Sequence, residues 1–146
     1  MTKINLVRTE KAWGDTAVDG LLAGLMGGVL MTLFLALVGW AGGAPPQATV
    51  ALFDPAQTGN WLSGLLAHLA VSAIYGLVLA LLLRGVGRIR PSLAKATWLW
   101  GAGYALLLWG LATAVASPLE QIPTWEFGLA HLLYGLAAGY RLHTNA

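Results

Sequence analysis

Three stretches of this chain, Gly20–Trp40, Trp61–Leu83 and Ala96–Ala116, run without a single Lys, Arg, Asp or Glu. A helix rises 1.5 Å per residue, so about 20 apolar residues are needed to cross the hydrocarbon core of a bilayer. All three runs meet that length. A fourth, Phe127–Tyr140, is shorter and reaches it only with Trp125 and Leu142. A helix lying in the interface would show a strongly charged face, and this one has none, so it too is expected to cross. Composition agrees: 58% of the residues are hydrophobic and 10% charged, against about 25% charged in soluble domains. Lipid must therefore be the solvent for much of the surface. The expectation is an all-α membrane protein, a four-transmembrane-helix bundle forming one domain over residues 1–146, with spans at about 18–41, 61–83, 96–116 and 125–142.

The placement of the eight basic residues sets the orientation. Lys3, Arg8 and Lys11 precede the first span, Arg84, Arg88, Arg90 and Lys95 separate the second from the third, and Arg141 follows the fourth. The intervening loops, Ala41–Asn60 and Ser117–Thr124, carry none. By the positive-inside rule both termini are expected to be cytoplasmic. Trp40, Trp61 and Trp125 then anchor the outer interface, and Trp13, Trp98 and Trp100 the inner one. Asn60 and Thr124 stand where N-caps belong. Pro91-Ser92 is expected to open the third span. Pro45-Pro46, Asp54-Pro55 and Ser117-Pro118 punctuate the outer loops, and Val50–Phe53 is short and apolar enough to lie along the membrane surface.

The second and fourth spans read alike. Leu66-Ala67-His68-Leu69 followed by Tyr75-Gly76-Leu77 matches Leu129-Ala130-His131-Leu132 followed by Tyr134-Gly135-Leu136. The two His-to-Tyr spacings differ by about one helical turn, which keeps each tyrosine on its histidine's face. The pattern suggests two duplicated helical hairpins related by an axis along the membrane normal. Small residues repeat at every fourth position: Gly20, Gly24 and Gly28; then Ser72, Gly76 and Ala80 beyond His68; then Gly135 and Gly139 beyond His131. Stripes of this kind let helix backbones approach closely in lipid.

His68 and His131 are the candidate functional residues, because ionisable groups are costly inside a membrane. Both fall about 10 Å in from the outer ends of their helices. Several roles are open to them. They could be axial ligands to one haem b, with Gly76 and Gly135 leaving room for the macrocycle. One of them could bind a chlorophyll-type pigment. A histidine could hold a quinone together with Tyr75 or Tyr134. The plainest role is a hydrogen bond to a neighbouring helix. His143, in the C-terminal tail, is expected to be solvated. Glu120 and Glu126 are close enough in sequence to pair across a short loop, and Asp15 and Asp19 suit the N-terminal end of the first helix dipole. With no cysteine there is no thiol chemistry or thiolate metal site. Nucleotide-binding, zinc-protease and serine-hydrolase motifs are missing from the sequence, so no enzyme is expected. The basic segment Arg84–Lys95 is explained by orientation and anionic lipid, without nucleic acid.

Three segments together resemble the small bacterial inner-membrane proteins of the YagU-like kind: Gly24-Leu25-Met26-Gly27-Gly28-Val29-Leu30-Met31-Thr32, Gly43-Ala44-Pro45-Pro46, and the two His…Tyr-Gly stretches. The resemblance implies a multi-pass inner-membrane protein and carries no catalytic residue with it. Small size and abundant close-packing surface point first to an accessory subunit of a larger respiratory or photosynthetic membrane complex, with other membrane subunits and lipids as partners. The alternatives are a haem- or pigment-binding electron-transfer protein using His68 and His131, and, last, an oligomeric transporter or channel.

Overall fold

The computed structural model describes residues 12–115, 119 and 121–144, and among these there are helices and no strands. In chain order they are α1 (Trp13–Ala41), the short α2 (Pro46–Ala51), α3 (Trp61–Ile89), α4 (Pro91–Ala94), α5 (Thr97–Val115) and α6 (Thr124–Thr144). Both α1 and α3, at 29 residues each, are long and apolar enough to cross a membrane. Lys3, Arg8, Lys11, Ala116, the Ser117-Pro118 turn and Glu120 lie outside the described residues.

Local chemistry explains the helix limits. The Asn60 side chain accepts hydrogen bonds from the backbone N–H groups of Leu62 and Ser63, at 3.0 and 3.2 Å, and so caps α3. Pro46 opens α2 at a position where the missing N–H costs nothing. Three expectations shift. Thr124 is the first residue of α6 rather than its cap, because the helix starts on the Pro123 carbonyl, which accepts from Phe127 at 3.0 Å. Pro91 opens its own short turn, α4, and α5 begins only at Thr97. Helix α3 continues past Leu83 to Ile89. There Arg84 Nη1 donates to the Ala12 carbonyl and to Thr16 Oγ1, at 3.2 and 2.6 Å. The Arg84 and Arg88 guanidinium groups also lie 4.2 and 4.8 Å from the centre of the Trp13 ring. Cation–π contact and snorkelling let a helix carry charge at a membrane edge.

Helix α1 is central. It packs along α3 on one side and α6 on the other, α6 in turn packs along α5, and α3 meets α5 only briefly. Small residues line the close crossings. A Cβ added at Gly20 would sit 2.8 Å from the Ala80 Cβ, and one at Gly28 would sit 2.6 Å from Ser72 Oγ. Gly24 and Gly76 face each other backbone to backbone between them. On the other side Gly101 faces Gly135 in the same way, and a Cβ at Gly139 would lie 2.6 Å from the Thr97 carbonyl oxygen. Gly27 joins the two sides, with the Tyr134 carbonyl oxygen 2.7 Å from where its Cβ would be. Larger apolar side chains point outward, among them Leu33, Leu37, Leu66, Ile74 and Leu107.

The loop after α2 turns inward. Val50 is buried, and Phe53 packs against the core formed by Met31, Leu35, Leu108, Phe127 and Tyr134, so Val50–Phe53 does not form a surface strip. Asp54 fixes this path. Its carboxylate accepts from Thr58 Oγ1 (2.7 Å), Ser63 Oγ (2.8 Å) and the backbone N–H groups of Thr58, Asn60 and Ala56 (2.9, 3.3 and 3.3 Å). Those bonds, the Thr58 hydroxyl's first and the Ser63 hydroxyl's next, favour the ionised form and hold the Asp54 carboxyl well below the usual carboxylate range.

Candidate functional site

A cavity of about 570 Å³ lies between α3 and α5, floored by α1 and α6 and roofed by Phe53, Pro55 and Leu119. His68 and Tyr75 of α3 and His131 and Tyr134 of α6, one histidine and one tyrosine from each helix, all line it. The helical faces account for this convergence. His68, Val71, Ser72 and Tyr75 lie at three- and four-residue steps along α3, and Phe127, His131 and Tyr134 do so along α6.

The two histidines sit differently. His131 is 7% exposed, and its Nδ1 lies 2.8 Å from the Phe127 carbonyl oxygen one turn earlier. A carbonyl only accepts, so Nδ1 carries the proton and Nε2 keeps its lone pair. The Phe127 ring meets the imidazole edge-on at 4.4 Å. His68 lies under the roof, its ring tilted against Phe53 at 4.5 Å. Its Nε2 is buried without a hydrogen-bond partner. A buried polar atom in that condition typically costs about 1–3 kcal/mol, which makes it the most distinctive feature of the site.

The tyrosines also differ. Tyr134 is 3% exposed, and its hydroxyl donates to the Ser72 carbonyl at 2.8 Å, tying α6 to α3 across the cavity floor. Tyr75 is 40% exposed at the mouth, beside the exposed Val71 and Leu111. Tyr104, which the sequence did not single out, packs against the core cluster that holds Leu108, Phe127 and Tyr134. Sequence reasoning also missed Phe53 and Met31. Ser72 lines the cavity and packs against Gly28 at the α1–α3 crossing, while Gly135 and Gly139 face α5.

The lining is largely apolar and contains no Lys, Arg, Asp or Glu. That decides how well a haem would fit. Two imidazoles are present, but the carboxylates of a haem would meet no cation and few donors beyond Ser72 and Tyr75. The donor set fits a neutral molecule better. Among the described residues no group of three or more His, Cys, Asp or Glu side chains is placed to hold a metal ion. His143 is exposed near the end of α6, and Glu126 lies in its first turn.

No family model, curated protein or solved structure gives a significant match to this chain.

Proposed function

We propose that this chain is a four-span helical bundle of a bacterial inner membrane, with both termini cytoplasmic, that holds a neutral, lipid-soluble small molecule between His68 and His131. The observation that carries the reading is the convergence of His68, His131, Tyr75 and Tyr134 on one apolar cavity. Binding sites for small molecules combine apolar walls with a few convergent polar groups, and this is the composition of the cavity. Its mouth lies between α3 and α5, where Val71, Tyr75 and Leu111 are exposed. In a bilayer such a mouth opens sideways into lipid.

The membrane setting is supported by coverage as well as length. Only 39% and 28% of the apolar windows of α1 and α3 are buried. A core helix of a soluble protein would be mostly covered, whereas these helices present leucines outward that water would not tolerate in such number. For α5 and α6 the support is their place beside the other two and the absence of Lys, Arg, Asp and Glu from α5. The two-hairpin duplication draws support from the matching Gly24–Gly76 and Gly101–Gly135 crossings. The YagU-like resemblance bears on the same reading at the level of a multi-pass membrane protein.

A second reading is the accessory subunit of a respiratory or photosynthetic complex. The exposed Trp98, Leu99, Trp100, Leu106 and Leu107 on α5 favour it, since a partner's helices would cover them as well as lipid does. Its other support, the small-residue stripes, is weaker than the sequence suggested, because those faces are occupied by the chain's own helices. A transporter ranks last, as no Lys, Arg, Asp or Glu lines the cavity.

The test is organic extraction of protein purified in mild detergent, followed by mass spectrometry. Wild type should retain a neutral apolar compound at near-stoichiometric amount. A Val71→Trp, Leu111→Trp variant, with its mouth filled, should retain little. Equal retention in both, or none in either, would overturn the ligand-binding reading.

A further inference from the structure

The hydrogen-bond state of the two histidines narrows the ligand class. In His131 the Phe127 carbonyl fixes the proton on Nδ1 and leaves Nε2 as an acceptor. His68 Nε2 is buried without a hydrogen-bond partner. A neutral imidazole has one N–H and one lone pair, so with its proton on Nδ1 this Nε2 too is an acceptor. No carboxylate lines the cavity to stabilise a doubly protonated ring. The Tyr134 hydroxyl proton is committed to the Ser72 carbonyl, so that oxygen also offers only lone pairs. The two imidazoles therefore accept hydrogen bonds, and a ligand set between them must donate to them, while the Ser72 and Tyr75 hydroxyls of the same lining can donate to its oxygens.

From this we propose that the cavity binds a membrane-soluble hydroquinone, its ring between Phe53 and Phe127 and its two hydroxyls donating to His68 and His131. The proposal rests on the ligand-binding reading above and specifies the occupant. Aromatic rings stack or meet edge-on with gain, and the Phe53 and Phe127 rings are already held within 4.5 and 4.4 Å of the two imidazoles. A neutral ring suits walls without Lys, Arg, Asp or Glu, and an isoprenoid or alkyl tail would leave through the mouth beside Val71 and Leu111. The oxidised quinone has the same shape but two carbonyl acceptors. It would leave the imidazole lone pairs unmatched. A site built around a hydrogen bond discriminates strongly against an analogue that cannot make it. The loss of two net hydrogen bonds corresponds to roughly a five- to 150-fold preference for the reduced form.

Three probes of one shape separate the outcomes: a short-tailed hydroquinone, its quinone, and its dimethyl ether, each titrated anaerobically against the full-length protein in lipid nanodiscs. The hydroquinone should bind about fivefold or more tightly than the other two. His131→Phe should reduce hydroquinone affinity toward that of the ether while leaving ether affinity unchanged, which also shows that the variant is folded. His131→Gln, whose amide oxygen restores an acceptor, should recover part of the loss. If quinone or ether binds as tightly as hydroquinone, the donor argument fails while the ligand-binding reading stands. If none of the three binds, and wild type retains another neutral compound on extraction, the hydroquinone is the wrong occupant. If none binds and nothing is retained, both readings fail.

Discussion

Asp54 shows how one side chain positions a site it does not enter. The residues on either side of it, Phe53 and Pro55, roof the cavity, and Phe53 packs on His68. Five donors hold its carboxylate, and their combined effect keeps it ionised well below the ordinary range. A carboxyl whose pKa is lower in the folded protein than in the unfolded chain adds stability above the unfolded value, near 3.9, and loses it as pH falls through the folded one. The melting temperature, followed in detergent by intrinsic tryptophan fluorescence, should therefore be flat from pH 7 to about 5 as far as Asp54 is concerned, and drop below about pH 4. Asp54→Asn should melt lower at pH 7 and show a smaller acid-dependent drop. Equal melting curves for the two proteins at pH 7 would mean that the carboxylate does not hold the roof. Little of this was visible in the sequence. Asp54-Pro55 reads as a turn, but the partners Thr58 and Ser63 are polar residues of ordinary kinds, and nothing in their spacing says that one carboxylate collects them. For the same reason Val50–Phe53 looked like a surface strip, when the turn directs it inward.

At the scale of helices, the small-residue stripes were readable but their pairing was not. Spacing by four places Gly20, Gly24 and Gly28 on one face of α1, and periodicity alone cannot say that α3 covers that face while Gly27, on the neighbouring face, meets Tyr134 of α6. The convergence of His68 and His131 was suggested by their matching depth. That the Ser72 carbonyl takes the Tyr134 hydroxyl depends on the α1–α3 and α1–α6 crossings together. The end of α3 was misplaced because Arg84 reads as the membrane edge, whereas its bonds to Ala12 and Thr16 continue the helix beyond it. The crossings give a graded prediction. Gly28→Leu and Gly135→Leu each force a side chain into an occupied space, and overpacking costs about 1–3 kcal/mol or more, so both should lower detergent stability. Gly103→Leu is the control, because a Cβ there meets nothing within 4 Å. It should be neutral or stabilising by up to about 1 kcal/mol, since glycine is a poor helix former. If all three variants melt alike, the crossings do not carry the packing assigned to them.

For the whole molecule, the proposed four-span topology places the cavity in the outer half of the membrane, and this can be checked by chemistry on intact cells. In that topology the sequence positions of all eight Lys and Arg residues assign them to one side, and the segments assigned to the other side, Ala41–Asn60 and Ser117–Thr124, have none. Basic residues resist translocation, so that side should stay cytoplasmic. The natural chain has no cysteine, so single-cysteine variants report without background. Ala48, on α2, and Ser92, on α4, are both exposed and sit at opposite ends of α3. Neither takes part in the Asp54 bonds or the Arg84–Trp13 contacts, so their replacement should leave the fold intact. With a membrane-impermeant maleimide, Ala48→Cys should be labelled on whole cells and Ser92→Cys only after lysis. His143→Cys, exposed near the C-terminal end of α6, should behave like Ser92→Cys if α6 crosses. This third site decides the span that is hardest to read from sequence. Labelling of His143→Cys on whole cells would place the ends of α6 on one side and reduce the bundle to three crossings, with His131 no longer at the depth of His68. Labelling of Ser92→Cys but not Ala48→Cys would invert the whole arrangement, and the cavity would then open near the cytoplasmic face.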